Sequence, residues 1–156
     1  MIRLIWAMTK EHVIGNKNRI PWHIKEDLLY YKSRTEGQTV LMGEATYHSL
    51  KGYYKTKPLP YGKIYVASLN PNFSIEDGIV ISDVETFMKN NKEDIWVVGG
   101  ASIYRVCLSY ADALYISWIK ENYAGDAYFP ELDFTKFNLT WEKETDLVHY
   151  TIYERV

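Results

Sequence analysis

The sequence predicts an α/β fold: a mostly parallel, twisted sheet of about eight strands with helices on both faces and a C-terminal antiparallel hairpin. Two observations favour this fold. Short apolar runs alternate along the chain with segments of helical period, as in strand–helix–strand units. The last two strand-like runs follow one another with no helix between them, which is typical of a hairpin. Parallel neighbours require crossover helices, and such helices cover both faces of a sheet.

Each predicted strand is a short run of apolar and β-branched residues. The first, residues 2–8, is almost entirely apolar and is therefore expected in the middle of the sheet. The last two form the predicted hairpin. The eight runs are residues 2–8, 39–43, 63–67, 79–81, 95–98, 113–118, 139–144 and 150–154.

Four helices are predicted in the connections. The first enters through Pro21 and extends to Lys32. The second, residues 44–50, opens at Gly43, and the third, residues 84–90, has Ser82 or Asp83 as its cap. The fourth, residues 102–108, follows a pair of glycines.

Composition narrows the functional classes. With 156 residues, 47% hydrophobic and 24% charged, the chain is expected to form one globular domain over residues 1–156. A net charge of −2 disfavours a nucleic-acid partner. One cysteine and four histidines without ligand spacing predict no metal site. The apolar start is too short for a signal peptide or membrane span, so we expect a cytoplasmic enzyme or binding domain that does not contact membranes.

Asp27 is the most informative single residue. At 100° per residue, Ile24, Leu28 and Tyr31 fall on one stripe expected to face the core, and Asp27 lies at the edge of that stripe. A carboxylate withdrawn from water requires a partner, and a cationic or donor-rich ligand could be that partner. The alternative is an ordinary acid in the first helical turn, favoured there by the helix dipole.

Two strand-to-helix turns carry features suited to anions. Gly43 precedes one predicted helix, with Thr46 in its first turn, and Gly99 and Gly100 precede another, which contains Ser102. Backbone N–H groups at helix starts bind phosphates, and glycine lets a ligand approach closely. Either turn alone is compatible with ordinary turn geometry. Two of them in one small domain indicate a ligand that spans both, such as a dinucleotide.

The chain resembles the dihydrofolate reductase family over nearly its whole length. The most specific motif is I-G-x-x-N-x-x-P-W, beginning at Ile14 and followed five residues after Trp22 by Asp27. The segments that carry the resemblance are residues 5–7, 13–22, 27–28, 41–43, 58–60, 97–100, 103–104 and 125–130, with Thr46 and Ser49.

The resemblance implies reduction of 7,8-dihydrofolate to tetrahydrofolate with a hydride from NADPH. Asp27 would bind the 2-amino group and N3 of the pterin, and a water near Trp22 and Ile20 would carry the proton to N5. These three residues are the predicted catalytic set. Residues 9–22 correspond to the mobile active-site loop of the family, which Asp126 would help to hold closed.

Similarity to the family also assigns the binding residues. The substrate pocket would be lined by Ile5, Trp6, Ala7, Leu28, Tyr31, Lys32, Leu50, Leu59, Val98, Tyr104 and Ser117. The cofactor would be bound by Ala7, Ile14, Gly15, Gly43, Glu44, Ala45, Thr46, Ser68, Gly99, Gly100, Ala101, Ser102, Ile103 and Tyr104.

Two departures from the family pattern bear on specificity. Glu44 and Ala45 stand where basic residues usually pair with the 2′-phosphate of the cofactor, so use of NADH is possible. Alternatively, Glu44 turns into solvent, and a lysine such as Lys63 compensates. After Leu59 and Pro60 the family places an arginine that clamps the substrate tail, whereas this chain continues with Tyr61, Gly62 and Lys63. Lys32 matches a family position near the tail, and Lys57 or Lys63 could also reach it.

Other functions on the same fold stay open at this stage. A related pteridine reductase and a non-catalytic protein that binds pterins or nucleotides are the alternatives. For the reductase, the expected ligands are dihydrofolate and antifolates, and the expected assembly is a monomer.

Overall fold

The computed structural model describes residues 1–156 and contains ten strands and four α-helices. Short 3₁₀ turns lie at Leu108–Tyr110 and Phe134–Lys136. The strands are β1 (Ile2–Thr9), β2 (Val13–Gly15), β3 (Thr39–Gly43), β4 (Lys63–Ala67), β5 (Ile79–Ile81), β6 (Ile95–Val97), β7 (Ala113–Ile119), β8 (Ala127–Tyr128), β9 (Phe137–Glu144) and β10 (Val148–Arg155). The helices are α1 (Lys25–Thr35), α2 (Glu44–Tyr54), α3 (Val84–Asn90) and α4 (Ala101–Cys107).

Eight of the strands form one sheet in the order β5-β4-β3-β6-β1-β7-β10-β9. The first six are parallel to one another, and β10 is antiparallel to both β7 and β9. β1 lies between β6 and β7, in the interior of the sheet as its apolar sequence indicates. The predicted α/β fold with its C-terminal hairpin is confirmed.

The sheet separates two layers of core. Alternate residues of β1 point to opposite faces because side chains alternate along a strand. Leu4, Trp6 and Met8 join a core that includes residues of α3 and α4. Ile5 faces the other layer, where α2 and the Tyr31 side chain of α1 pack. Helices therefore cover both faces, as predicted.

Several boundaries differ from the predicted ones. α1 begins at Lys25, with Ile24 as its N-cap, so Pro21 lies in the loop before the helix and not inside it. α2 extends to Tyr54, beyond the predicted end at Leu50. α4 starts one residue earlier than expected, at Ala101. None of the helices combines the length and apolar character that crossing a membrane requires.

A second, two-stranded sheet was not predicted. β2 pairs antiparallel with β8, joining the segment after β1 to the segment after β7. The strands have three and two residues, too few for an alternating pattern to be recognised in the sequence. This pairing anchors the loop that carries Ile20 and Trp22.

Candidate active site

Asp27 lies in the first turn of α1, at the carboxyl end of the central strands. Its side chain is largely withdrawn from solvent, and the buried side chain of Ser117 on β7 lies beside it. Burial raises the pKa of Asp27 to about 6, the hydrogen bond from Ser117 opposes that rise, and the charge of Glu26 adds to it. A carboxyl group in a cleft, with its pKa near neutrality, is typical of a functional site.

The apolar stripe of α1 that was predicted to face the core does not pack in one place in the structure. Tyr31 packs on the α2 side of the sheet and Ile24 on the neighbouring cluster, but Leu28 is 43% exposed. The expectation of a fully buried stripe was therefore wrong at Leu28. Its side chain lies one residue from Asp27 in an open cleft, where an apolar ligand could cover it.

The groove at the end of α1 contains two paired tyrosines. The hydroxyls of Tyr31 and Tyr61 lie 2.8 Å apart, and burial is the main cause that raises the pKa of each. Lys32 lies 6.0 Å from the ring centroid of Tyr54 across this groove. A cavity of about 180 Å³ here is lined by Tyr31, Lys32, Thr35, Glu36, Tyr54 and Pro60. The polar groups at this groove therefore include the Tyr31–Tyr61 hydroxyl pair and Lys32.

The loop between β1 and α1 forms another wall of the cleft. Trp22 is buried and packs against Tyr123 with ring centroids 5.5 Å apart, whereas Ile20 is 62% exposed. The Asp126 carboxylate accepts from the backbone N–H of Lys17 at 3.1 and 3.2 Å. These bonds hold the loop against the segment after β7, as expected for Asp126. An open cavity of about 620 Å³ lies here, lined by Asn16, Lys17, Arg19, Ile20, Pro21, Tyr123 and Ala124.

The two glycine turns meet at the carboxyl ends of β3 and β6. The backbone N–H of Gly43 donates to the carbonyl of Gly99 at 2.8 Å. Gly43 and Gly100 are the N-caps of α2 and α4, and neither helix start has a side-chain cap. A Cβ on Gly99 or Gly100 would lie 3.6 Å from the Thr46 hydroxyl, and Gly99 has φ +121°, which favours glycine.

This pair of turns fits the diphosphate of a dinucleotide. Free N–H groups from two helix starts and the Thr46 hydroxyl converge on a space that side chains at the two glycines would narrow. No three His, Cys, Asp or Glu side chains are placed to hold a metal ion.

Glu44 does not turn into solvent. Its carboxylate accepts a 2.5 Å hydrogen bond from the Ser68 hydroxyl and lies 3.3 Å from Nε2 of His48. The bond from Ser68 is the main cause that lowers the pKa of Glu44. Lys63, considered as a compensating cation, instead pairs with Glu93 at 2.7 Å. The expectation that Glu44 turns into solvent was therefore wrong, and Lys63 is paired elsewhere.

Five of the predicted pocket residues pack in one cluster, but Trp6 does not bring its side chain there; the five are Ile5, Tyr31, Leu50, Leu59 and Val98. Trp6 stacks on Phe129 in the opposite core, at 3.8 Å between ring centroids, so only its backbone reaches the Asp27 side of the sheet. Tyr104 belongs to the same core, yet its hydroxyl donates to the carbonyl of Ile5 at 2.7 Å. The Tyr104 hydroxyl therefore sits at the carboxyl end of the sheet despite its burial.

The remaining predicted residues lie around these groups. Ala7, Leu50, Val98, Ile14, Thr46, Gly100 and Ala101 are partly buried; Ile5, Leu59, Gly15, Gly43, Ser68, Gly99 and Ile103 are buried; and Ala45 and Ser102 are exposed. The sequence did not single out Tyr30, Tyr123, Tyr150, Glu26 or His48. Tyr123 and Tyr150 lie far from the motifs in sequence, so only the fold brings them beside the site. Glu26, Tyr30 and His48 lie close to Asp27 or Glu44 in sequence, but no motif distinguishes them.

Comparison with known proteins identifies the family. The dihydrofolate reductase family model matches residues 1–154. The dihydrofolate reductase of Buchnera aphidicola subsp. Acyrthosiphon pisum is 42% identical over 134 residues, 83% of this chain and 79% of that protein. The Bacillus subtilis enzyme is 34% identical over 141 residues, 89% of this chain and 81% of that protein.

A solved structure agrees with the sequence relatives. Dihydrofolate reductase from Enterococcus faecalis, complexed with NADP(H) and RAB-propyl, superposes with a TM-score of 0.85 at 26% identity. The match covers 99% of this chain and 96% of that one. With its fold, its cleft and its sequence in agreement, the chain belongs to the dihydrofolate reductase family.

Proposed function

We propose that the cleft around Asp27 reduces 7,8-dihydrofolate to tetrahydrofolate, with Asp27 as the residue that holds the pterin ring. The family confirms an NADPH-dependent dihydrofolate reductase. The single observation that carries the residue assignment is the half-buried Asp27 carboxyl, with a pKa of about 6, beside Ser117. A non-catalytic or other pteridine-specific protein is not favoured by these findings.

Asp27 is suited to bind the donor edge of a pterin. With a pKa of about 6, it is mostly ionised at pH 7 and can accept hydrogen bonds from the 2-amino group and N3. The Ser117 hydroxyl fixes the carboxylate from behind. A bound donor-rich ring favours the ionised form and so lowers the pKa of Asp27.

The substrate N5 must gain a proton during reduction. NADPH, when bound, supplies the hydride that adds at the neighbouring C6. The Asp27 charge favours the protonated ring, and exposed Ile20 beside buried Trp22 leaves room for a water to deliver the proton. The loop that carries Ile20 excludes bulk solvent when it is closed through Asp126.

The residues that would line the substrate pocket and the cofactor site are assigned from their positions around Asp27 and the two glycine turns. Ile5, Ala7, Leu28, Leu50, Leu59 and Val98 would contact the apolar faces of the ring and the aromatic part of the tail, and Tyr104 would border the nicotinamide. Gly43, Thr46, Gly99, Gly100 and Ala101 would hold the diphosphate, with Ile14, Gly15, Ala45, Ser102 and Ile103 around the rest of the cofactor. The uncapped starts of α2 and α4 support this arrangement.

The tail groove binds its carboxylates through weaker groups than an arginine fork. Lys32 offers a point charge, and the Tyr31–Tyr61 pair offers neutral donors. We expect dihydrofolate to bind with an affinity that falls as salt is raised, because a partly exposed single cation is screened.

Glu44 is proposed to accept from the adenosine ribose. A carboxylate next to a free 2′-hydroxyl is the arrangement of NAD-type sites, whereas it repels a 2′-phosphate. Since Ser68 and His48 keep Glu44 at the turn, NADH use accompanies NADPH use in this chain.

Family members bind dihydrofolate and antifolates. Beyond this, we propose that residues 1–156 act as one domain, as a cytoplasmic monomer without a membrane or nucleic-acid partner. The net charge of −2 and the absence of any helix suited to span a bilayer support this proposal.

The test is the loss of reduced-nicotinamide absorbance with dihydrofolate, using NADPH and NADH side by side. Turnover that methotrexate abolishes, and that Asp27→Asn removes while the fold is retained, supports the assignment. Folded protein that turns over neither cofactor contradicts the assignment and points to a binding role.

A further inference from the structure

A second carboxylate lies directly behind Asp27. Glu26 precedes it on α1, and its Oε1 accepts a 2.9 Å hydrogen bond from the Thr145 hydroxyl. Thr145 lies in the turn between β9 and β10, and its hydroxyl also accepts from the backbone N–H of Val148 at 3.1 Å. A glutamate in the first turn of a helix usually projects into water. Here the far hairpin fixes it beside the sheet.

A pair of tyrosines, partly buried Tyr30 and buried Tyr150, packs near this carboxylate. The rings of Tyr30 and Tyr150 pack with centroids 4.4 Å apart, and neither hydroxyl has a hydrogen-bond partner. Tyr150 is only 4% exposed and lies opposite Ser117 in the β7–β10 ladder. Burial is the main cause that raises the pKa of Tyr150, followed by the charges of Asp27 and then Glu26. Both carboxylates therefore act on the same buried hydroxyl.

Few groups can neutralise the two acids from the surrounding elements. From α1, Tyr30 faces them, and Arg34 lies 5.2 Å from the Tyr30 ring centroid. Arg34 also packs over Tyr115 of β7 and Trp141 of β9, which holds its charge on the far side of Tyr30. From the sheet, Ser117 and Tyr150 face the acids, Lys143 opposite Tyr150 is exposed, and β1 offers only apolar groups here.

We propose that Glu26 is a positioning residue of the reductase reaction, whose fixed negative charge keeps a proton on the Asp27–pterin unit at higher pH. The inference rests on the proposed role of Asp27. Reduction consumes one proton, so the reacting state carries one proton more than the state that dominates at high pH. A like charge held near Asp27 favours that protonated state.

The surroundings of the two carboxylates explain why the charge of Glu26 acts on Asp27. The Tyr150 hydroxyl has no hydrogen-bond partner, so it neutralises neither of the two neighbouring carboxylates. The Thr145 hydroxyl donates to Glu26, and Ser117 is the group that lowers the pKa of Asp27. The charge of Glu26 accordingly appears among the causes that raise the pKa of Asp27.

The experiment is the pH profile of the hydride-transfer rate for Glu26→Gln. The descending limb should move to lower pH by roughly half a unit, the size expected for one nearby like charge in a mostly aqueous dielectric. Above the midpoint, the rate should fall about threefold at each pH. Glu26→Asp should return the midpoint most of the way, and Thr145→Val should move it in the same direction as Glu26→Gln.

A matched control removes the same charge elsewhere. Glu154 is exposed on β10, the strand that carries Tyr150, and Glu154→Gln should leave the profile unchanged. A Glu26→Gln profile that coincides with wild type, in an enzyme that Asp27→Asn still inactivates, overturns the role of Glu26 alone. Activity that survives Asp27→Asn would instead overturn the proposed role of Asp27.

Discussion

The Ser68 hydroxyl, one residue beyond the end of β4, donates a 2.5 Å hydrogen bond to the Glu44 carboxylate at the start of α2. The Ser68 hydroxyl, which by resemblance to the family would contact a cofactor phosphate, therefore donates to the Glu44 carboxylate instead. His48, one turn further along α2, lies 3.3 Å from the other carboxylate oxygen. Glu44, Ser68 and His48 thus form a small polar cluster at the start of α2.

Replacing Glu44 should change cofactor choice strongly. Glu44→Arg removes the repulsion, frees Ser68 and adds a charge-assisted hydrogen bond to a 2′-phosphate, which is worth roughly 1.5–3 kcal/mol. The NADPH-to-NADH ratio of kcat/KM should rise by roughly 10- to 100-fold. Steady-state kinetics with both cofactors measure it. Glu131→Arg, which makes the same charge change at an exposed position, should leave the ratio alone. An unchanged ratio in Glu44→Arg would contradict the ribose contact.

The ionised Asp27 carboxylate should destabilise the fold when no ligand is bound. Its pKa is about 6 in the fold against 3.8 as an ordinary value, so the folded state prefers the protonated form. The stability that the protonated carboxyl contributes is fully present below pH 4 and is lost as the pH rises through about 6. The loss of folding free energy amounts to at most about 3 kcal/mol. Asp27→Asn should therefore raise the Tm at pH 7 and leave it nearly unchanged at pH 3.5. Thermal unfolding at both pH values checks the sign, and equal shifts at the two would contradict it.

Much of this architecture was predictable, and the exceptions share a cause. The eight main strands and Asp27 follow from apolar runs and helical spacing, which are local. β2 and β8 were missed because two or three residues carry no period. The roles of Tyr150 and Thr145 depend on strand register, since the hairpin brings residues over a hundred positions away beside α1. Leu28 was expected in the core because periodicity cannot distinguish a core from an open cleft.

An arginine introduced into the groove beside Tyr31 and Lys32 should strengthen binding of the substrate tail. Tyr61→Arg places a guanidinium fork in the groove beside Lys32, so KM for dihydrofolate should fall by roughly tenfold, with kcat little changed. Tyr61→Phe is the matched control, because it removes the 2.8 Å hydroxyl pair with Tyr31 and adds no charge. Initial rates at 0.05 and 0.5 M salt separate charge from packing. A KM that is already low and insensitive to salt in the unaltered chain would contradict the weak clamp.

The Asp126–Lys17 contact should control loop closure. Asp126→Asn replaces a charged acceptor of one backbone N–H, which the two carboxylate oxygens share, with a neutral one, and a hydrogen bond to a charged group contributes roughly 1.5–3 kcal/mol. The closed loop should become less populated, so the single-turnover hydride-transfer rate should fall by roughly tenfold while the Kd of the substrate changes little. Stopped-flow fluorescence of Trp22, which packs on Tyr123, follows the loop directly. Asp146→Asn, at an exposed turn, is the control, and hydride transfer at the unaltered rate in Asp126→Asn would show that β2–β8 pairing alone holds the loop.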